Sequence, residues 1–204
     1  MDRSTSSFYT RYARELQGRA RAESPRSAVS AWFGRAFAPG ARVLDIGAGS
    51  GRDLVALLSQ GCEAYGVEPH PGMRETAVRA HPALAARLAG GALPDLNPPF
   101  DTPFDGLVCS AVLMHVSPGQ LPASLDTLCH LLAPAGRLLL AVPSMAANRL
   151  KEGRDEDGRS FTNHDPARLE AGLSARGLRL VDGEDIDTLL AATGTRWHVR
   201  LLEK

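Results

Sequence analysis

One eleven-residue stretch constrains this chain more than any other: Val43-Leu44-Asp45-Ile46-Gly47-Ala48-Gly49-Ser50-Gly51-Arg52-Asp53. A short apolar run, 42–46, enters a loop with glycine at every second position. A helical pattern, 53–59, leaves it and stops at Gly61. Strand, glycine turn and helix in that order open a βαβ unit. Gly47 and Gly49 allow a tight turn and a close backbone approach by a ligand. The free N–H groups of the helix start favour an anion such as a phosphate or carboxylate.

Beyond the loop the alternation continues. Residues 64–67 read as a second strand, 72–80 as its helix and 84–89 as a weak third strand. The stretch 90–103 carries four prolines and is expected to be irregular. Strand 104–110 follows, then helix 121–132 with its stop at Pro134-Ala135-Gly136, then the most apolar strand, 137–142. A polar, glycine-containing surface loop is expected over 144–164, a helix over 166–176, and closing strands at 178–181 and 197–202. Ahead of the first strand, 5–18 and 25–37 read as helices. Ser24-Pro25 starts the second and Pro39-Gly40 stops it.

This pattern predicts an α/β fold, a Rossmann-like three-layer sandwich. Its sheet is mostly parallel and seven-stranded, with the last strand antiparallel and cap helices at the N-terminus. The 204 residues suit a single domain. Within it, 1–38 is the helical cap, 39–143 the ligand-binding core, and 144–204 the rest of the sheet with a substrate-side loop. Such sheets bind ligands at the carboxyl ends of their strands beside the switch point. The chemistry is therefore expected just after residues 46, 67, 89 and 110.

Charge and composition remove several alternatives. Lys plus Arg equals Asp plus Glu, 23 each, so the basic excess that usually marks a nucleic-acid partner is absent. Apart from Lys151 and Lys204 every basic residue is Arg, and Ala, Gly and Leu are abundant, as in proteins of GC-rich bacterial genomes. Cys62, Cys109 and Cys129 form no CxxC pair. They read as buried free thiols of a reducing compartment, so the expected location is cytoplasmic. No run approaches the roughly 18 apolar residues of a membrane span, and no membrane partner is expected. No His/Cys/Asp cluster has metal spacing, so no metal is expected. Ser144 and Ser160 lack a nucleophile-elbow context. The Arg- and Ser-rich N-terminus faintly resembles a transit peptide but reads as a folded cap helix. Oligomeric state leaves no mark in the sequence.

Glycine loops also serve dinucleotide enzymes, and three details separate this one. The spacing is G-x-G-x-G, and Arg52 stands where G-x-G-x-x-G needs its last glycine. Asp45 sits at the strand end, where a dinucleotide fold keeps an apolar residue. Glu68 ends the second strand, seventeen positions past Gly51, in Tyr65-Gly66-Val67-Glu68-Pro69-His70. A carboxylate there accepts hydrogen bonds from both ribose hydroxyls and repels a 2′-phosphate.

Taken together, 43–53 resembles motif I of the class I S-adenosylmethionine (SAM)-dependent methyltransferases, and 66–68 resembles their second motif. Residues 104–118 are similar to the fourth strand and its loop. Residues 128–143 are similar to the L-L-x-P-G-G helix end and fifth strand, with Ala135-Gly136 for the usual two glycines. Asp157-Gly158-Arg159-Ser160-Phe161 and Arg196-Trp197 resemble the tail of small bacterial methyltransferases of unassigned substrate.

The resemblance implies S-adenosyl-L-methionine as cofactor and a set of roles. Gly47, Ala48, Gly49 and Gly51 border the methionine part. Asp45 orients the loop or holds the amino group through water, Arg52 reaches the carboxylate, and Glu68 holds the ribose. Pro69, His70 and Met73 line the adenine. Gly91-Ala92-Leu93 match a loop that often reads Asp-Ala-x-x-Leu-Pro and contacts the adenine amino group; with Gly91 at the Asp position, a backbone carbonyl or Asp95 has to serve. Ser110 ends the fourth strand at the site, and Tyr9 matches a tyrosine on a helix that closes over the cofactor. His115, after the fourth strand, is the candidate catalytic base.

Plainer readings stand beside these. Tyr9 could be helix packing, Arg52 a solvated cation at the wrong end of a helix dipole, and His115 a structural histidine. His164, Arg159 and Arg196 read as solvated loop residues before they read as an anion-binding edge. Asn97-Pro98-Pro99-Phe100 spells the signature of methyltransferases acting on amino nitrogens, but it precedes the fourth strand instead of following it. The expected function is methyl transfer by direct displacement to a small-molecule acceptor. The alternatives are a SAM-binding regulator or inactive homologue, an N-methyltransferase of nucleic acid or protein, and an NAD-dependent oxidoreductase.

Overall fold

The computed structural model describes residues 2–17, 27, 29–187 and 195–204. In chain order the elements are α1 (Arg3–Gln17), a 3-10 turn (Ser30–Trp32) running into the short α2 (Phe33–Ala36), β1 (Arg42–Ile46), α3 (Arg52–Ser59), β2 (Glu63–Val67), α4 (Pro71–Ala80), β3 (Leu88–Ala89), β4 (Phe104–Ser110), α5 (Leu121–Leu131), β5 (Leu132–Met145), α6 (Pro166–Ser174), β6 (Arg179–Asp187) and β7 (Thr195–Glu203). The seven strands form one sheet in the order β3-β2-β1-β4-β5-β7-β6. β3 to β5 pair in parallel, and β7 runs antiparallel to both its neighbours. The architecture expected from the alternation is the one observed.

The chain builds outward from β1 through β2 to β3, then returns to lay β4 on the other side of β1. The crevice where the order reverses lies between the carboxyl ends of β1 and β4. The inner strands are apolar on both faces because helices cover both. Leu44, Ile46, Leu107 and Leu138 pack on one side with Leu128 of α5 and Leu173 of α6. Val43, Val108 and Leu139 pack on the other with Phe33 of α2 and with Leu54 and Leu57 of α3. Each fully buried leucine contributes about 2 kcal/mol by leaving water, so the sheet holds the two ends of β1 and β4 firmly in register.

Several boundaries differ from the sequence expectation. The start signal Ser24-Pro25 lies outside the described residues, and what is described of helix 25–37 is only the 3-10 turn and α2. Trp32, Phe33 and Ala36 are buried there; aromatic residues and Gly34 are weak helix formers, so packing on the sheet sets their conformation. The third strand shrinks to Leu88–Ala89, preceded by a 3-10 turn at Pro82–Leu84. β5 runs on to Met145, because β7 pairs with it as far as Met145↔Thr195. The stretch after it holds a 3-10 turn, Ala147–Arg149, and the bridges Lys151↔Arg154 and Arg154↔Ser160, so it is an ordered flap more than a surface loop. β6 extends to Asp187 through the polar run Gly183-Glu184-Asp185-Ile186-Asp187, held by pairing with β7 despite its exposed side chains.

Gly51 is fixed by packing. Its φ is +77°, and a Cβ there would lie 2.6 Å from Leu84 Cδ1 and 3.2 Å from the Ala77 Cβ. Gly51→Ala is therefore expected to cost about 2 kcal/mol through backbone strain and crowding, a fall in Tm of roughly 4–8 °C. Thermal unfolding followed by circular dichroism checks this; an unchanged Tm would contradict the packing argument. Among the described residues no helix is long and apolar enough to cross a membrane.

Candidate active site

The loop after β1 is tied to the end of β2. Gly47 N and Ala48 N both donate to the Val67 carbonyl, at 2.8 and 3.0 Å. Gly47, Gly49 and Gly51 all have positive φ, which side chains rarely tolerate. At Gly47 a Cβ would meet Val112 Cγ2 at 2.5 Å, whereas at Gly49 the nearest atom would be Met73 Cε at 3.7 Å. Gly47 and Gly51 are thus turned toward neighbouring side chains, and Gly49 toward a wider space.

Glu68 joins the two strand ends. Its Oε2 accepts from Gly49 N at 3.0 Å and its Oε1 from His70 N at 2.8 Å. Burial still pushes its carboxyl above the usual range, against the lowering effect of those two bonds. Asp45, on β1, is 3% exposed, and its Oδ2 has no hydrogen-bond partner among the described residues. Burial raises the Asp45 carboxyl well above its ordinary value. Repulsion from Asp53 and Glu68 adds to this, and the Arg52 charge opposes it. Asp53 is raised as well, by burial first. Three carboxylates therefore converge on the β1 end with Arg52 at the margin, its Nε 3.6 Å from Asp53 and its side chain 43% exposed. Such a site gains from a cationic ligand and repels a pyrophosphate.

The remaining predicted positions fall around this centre. Met73 is buried beside the loop and Pro69 is exposed on the turn after Glu68. Arg74, which the sequence reading passed over, donates to the Glu68 and Pro69 carbonyls at 2.6 and 3.0 Å and closes that turn. Gly91, Ala92 and Leu93 follow β3, and a Cβ on Gly91 would lie 2.6 Å from Leu96 Cδ1. A side chain at 91 would require the end of that buried leucine to shift. Ser110 sits half-buried at the end of β4.

Above the loop lies α1. Tyr9 Oη is 3.0 Å from His115 Nε2, and His115 Nδ1 is 2.7 Å from the Ser160 carbonyl. A carbonyl only accepts, so Nδ1 carries the proton and Nε2 accepts from the tyrosine. Burial lowers the His115 pKa below 6.5, against the raising effect of the Ser160 bond; burial raises that of Tyr9. The imidazole is thus neutral, and its free lone pair is already taken by Tyr9.

The flap is stitched to α1 around this pair. Ser160 N donates to Thr5 Oγ1 at 2.8 Å, Ser4 Oγ donates to the Gly158 carbonyl at 2.8 Å, and the Arg159 guanidinium lies 4.6 Å over the Phe8 ring. These contacts join residues about 150 positions apart, and no local pattern announces them.

Beside the flap opens a cavity of about 350 Å³ at the ends of β4, β5 and β7, lined among others by Ala111, Met114, Met145, Arg159, Phe161 and Trp197. The suggested edge of His164, Arg159 and Arg196 does not form. His164 is buried and its Nε2 donates to the Leu113 and Val116 carbonyls at 2.9 and 3.1 Å. Arg196 pairs with Asp187 at 3.0 Å. Asn97 is exposed, seven residues ahead of β4. Cys109 is buried, and burial pushes its thiol up to about 12.

Residues 12–196 match the model of a family described as a methyltransferase domain. The chain is 32% identical over 111 residues to an uncharacterized methyltransferase of Staphylococcus carnosus, covering 54% of this chain and 51% of that one. It is 35% identical over 159 residues to a ubiquinone biosynthesis O-methyltransferase of Xylella fastidiosa, covering 70% and 63%. It thus spans between about half and two thirds of the length of these curated relatives. Its fold aligns at a TM-score of 0.70 and 22% identity with the 1,6-didemethyltoxoflavin-N1-methyltransferase of Burkholderia thailandensis, a structure with 1,6-didemethyltoxoflavin and S-adenosylhomocysteine bound. That match covers 98% of this chain and 87% of the other. The chain belongs to the methyltransferase-domain family, within the class I SAM-dependent methyltransferases. The cofactor of these enzymes is S-adenosyl-L-methionine, and the buried, unpartnered Asp45 oxygen suits a ligand of that charge, cationic at its sulfonium and ammonium.

Proposed function

We propose that this chain methylates a small-molecule acceptor by direct displacement, with SAM as donor. The observation that carries this reading is the Asp45–Glu68 pair at the mouth of a glycine loop whose backbone leaves room at Gly49. Residues 39–143 form the cofactor side, and 144–204 supply the acceptor side. The balanced charge and the small cavity of about 350 Å³ beside the flap support a small acceptor over RNA or protein. The exposed Asn97, away from the end of β4, weighs against the amino-nitrogen signature. Three buried free cysteines support a reducing, cytoplasmic setting. Incubating the protein with methyl-labelled SAM and fractionated bacterial extract tests the acceptor class. Label is expected in the low-molecular-weight fraction; label confined to RNA or protein would sink this reading.

The bound cofactor supplies an electrophilic methyl on sulfur, so no covalent enzyme intermediate is required. The residues then bind, orient and exclude water. Glu68 takes the ribose hydroxyls on its remaining lone pairs, and Asp45 faces the amino group directly or through water. Gly47, Ala48, Gly49 and Gly51 shape the methionine cradle, and Arg52 lies at its carboxylate end. Met73, Pro69 and the 91–93 turn border the adenine, and Ser110 closes the floor. Tyr9 covers the site from above.

His115 takes up the acceptor's proton through Tyr9. As the acceptor gives its proton to the phenol oxygen, the phenol passes its own to Nε2, and Nδ1–H stays on the Ser160 carbonyl. Burial lowers the His115 pKa from its usual 6.5, so the acid limb of the pH–rate profile is expected below pH 6.5. His115→Ala and Tyr9→Phe are each expected to lower turnover about 100-fold on an acceptor bearing a proton, with no larger loss in the double variant. A pH–rate profile and initial rates check this. Unchanged turnover in His115→Ala, or an acid limb above pH 6.5 in the wild type, would contradict it.

A further inference from the structure

The cavity beside the flap carries a sign of charge as well as a size. Its walls are apolar and soft where they meet the sheet, through Met114, Met145, Phe161 and Trp197. Flat aromatic rings and thioethers favour a planar guest, and about 350 Å³ lies at the small end of ligand pockets. The charged residues sit on the flap. Arg159 is held by Asp155, Nε to Oδ2 at 2.7 Å, and the Asp155 side chain is only 3% exposed. Asp155 also accepts from the backbone N–H of Asp157 and Arg159 at 3.1 and 2.9 Å. Arg149 pairs with Glu156 at 2.8 Å. Asp157 adds a third carboxylate, 54% exposed and 3.6 Å from Arg159.

Two guanidiniums thus face three carboxylates around one cavity, all five among its lining residues. Neither arginine is set up to receive an anionic guest, because each is already matched by a carboxylate at salt-bridge distance. A guest carboxylate or phosphate would have to share an arginine with a carboxylate already beside it and then face the surplus negative charge. A cationic guest gains from that surplus and from the aromatic walls.

We propose that the acceptor is an aromatic small molecule that is uncharged or cationic, and that the acidic rim of Glu156 and Asp157 selects against anions. This rests on the methyltransferase reading, since it assigns the cavity to the methyl acceptor. Anion exclusion here is a property of this chain's flap, which matches each arginine with a carboxylate and adds one more.

Calorimetric titration of the full chain tests it. The protein is first titrated with S-adenosylhomocysteine, and the loaded protein then receives catechol, dopamine or 3,4-dihydroxybenzoate at pH 7.5. The three probes share one ring and differ by unit charge. Dopamine and catechol are expected to bind, and 3,4-dihydroxybenzoate about tenfold more weakly than catechol or worse. In Glu156→Gln/Asp157→Asn, where two guanidiniums face one carboxylate, 3,4-dihydroxybenzoate is expected to bind at least as tightly as catechol, and 0.5 M NaCl is expected to narrow the spread in the wild type. Trp197→Ala is expected to weaken all three alike. No binding of S-adenosylhomocysteine by the folded wild type would overturn the methyltransferase reading and this proposal with it. Cofactor-product binding with the anion bound as tightly as catechol, or with none of the three probes bound, would overturn this proposal alone.

Discussion

Glu68→Ala should lower the affinity for SAM about 100-fold or more. The loss has two sources, both visible in the site. Glu68 reaches Gly49 N with one carboxylate oxygen and His70 N with the other, so it fixes the loop after β1 against the turn after β2. Its remaining lone pairs are the ribose acceptors in the proposed complex, and charge-assisted bonds of that kind contribute roughly 1.5–3 kcal/mol each. Glu68→Gln separates the two. It keeps an acceptor for one backbone N–H and loses the charge, so it should retain the wild-type Tm within a few degrees and still bind SAM about tenfold more weakly. Calorimetry on the three proteins reads the result. An alanine variant within threefold of the wild type would remove Glu68 from the binding site.

Asp45→Asn should make the cofactor-free protein more stable while it weakens SAM binding. A buried carboxylate with an unpartnered oxygen, close to two further carboxylates, costs free energy in the empty protein. The sign follows from linkage. The folded carboxyl titrates well above its ordinary value of 3.8, so as pH rises through that window the unfolded chain has already released its proton and the folded chain must still give it up. Stability falls with rising pH across the window, and the full cost is present above the folded value. Asparagine has no such titration. Its expected advantage at pH 8 is about 1–3 kcal/mol, several degrees in Tm, shrinking toward pH 4. In the proposed complex the same change removes the anion that faces the cofactor's amino group. Thermal melts at pH 4.5 and pH 8, paired with SAM titration, test both halves. A variant less stable at pH 8 that still binds SAM normally would contradict the account.

The opposition between stability and binding at Asp45 also explains what was legible in the sequence. Asp45 breaks the apolar pattern of β1 and Glu68 that of β2, and a polar residue at a buried strand end stands out against a hydrophobic background. The glycines stand out for the same reason: a loop with φ values of +75, +55 and +77° leaves almost no other residue type. The parallel half of the sheet was legible because its strands are apolar on both faces and its helices are separated by Gly and Pro.

The proposed acceptor side was not legible in that way. Tyr9 and His115 each drew notice alone, but their contact spans 106 residues and no periodicity encodes it. The flap packs through Asp155, Arg159 and Ser160, polar residues that in a sequence resemble any solvated loop. β6 was cut short because its second half, Gly183 to Asp187, is polar and largely exposed; only the ladder to β7 makes it a strand. Arg74 was missed because a cation six positions after Glu68 has no meaning until the turn between them is folded. The loop after β1 is written in residues that violate local rules, and the flap and its contact with α1 in long-range contacts between ordinary ones.

The central claim is that the loop after β1 and the carboxylates beside it hold SAM. Titration of the purified wild-type chain with SAM and, separately, with NAD tests it most directly. The account predicts micromolar binding of SAM and no detectable binding of NAD. A cooperatively folded protein that gives no heat with SAM, or that binds NAD in its place, would contradict it.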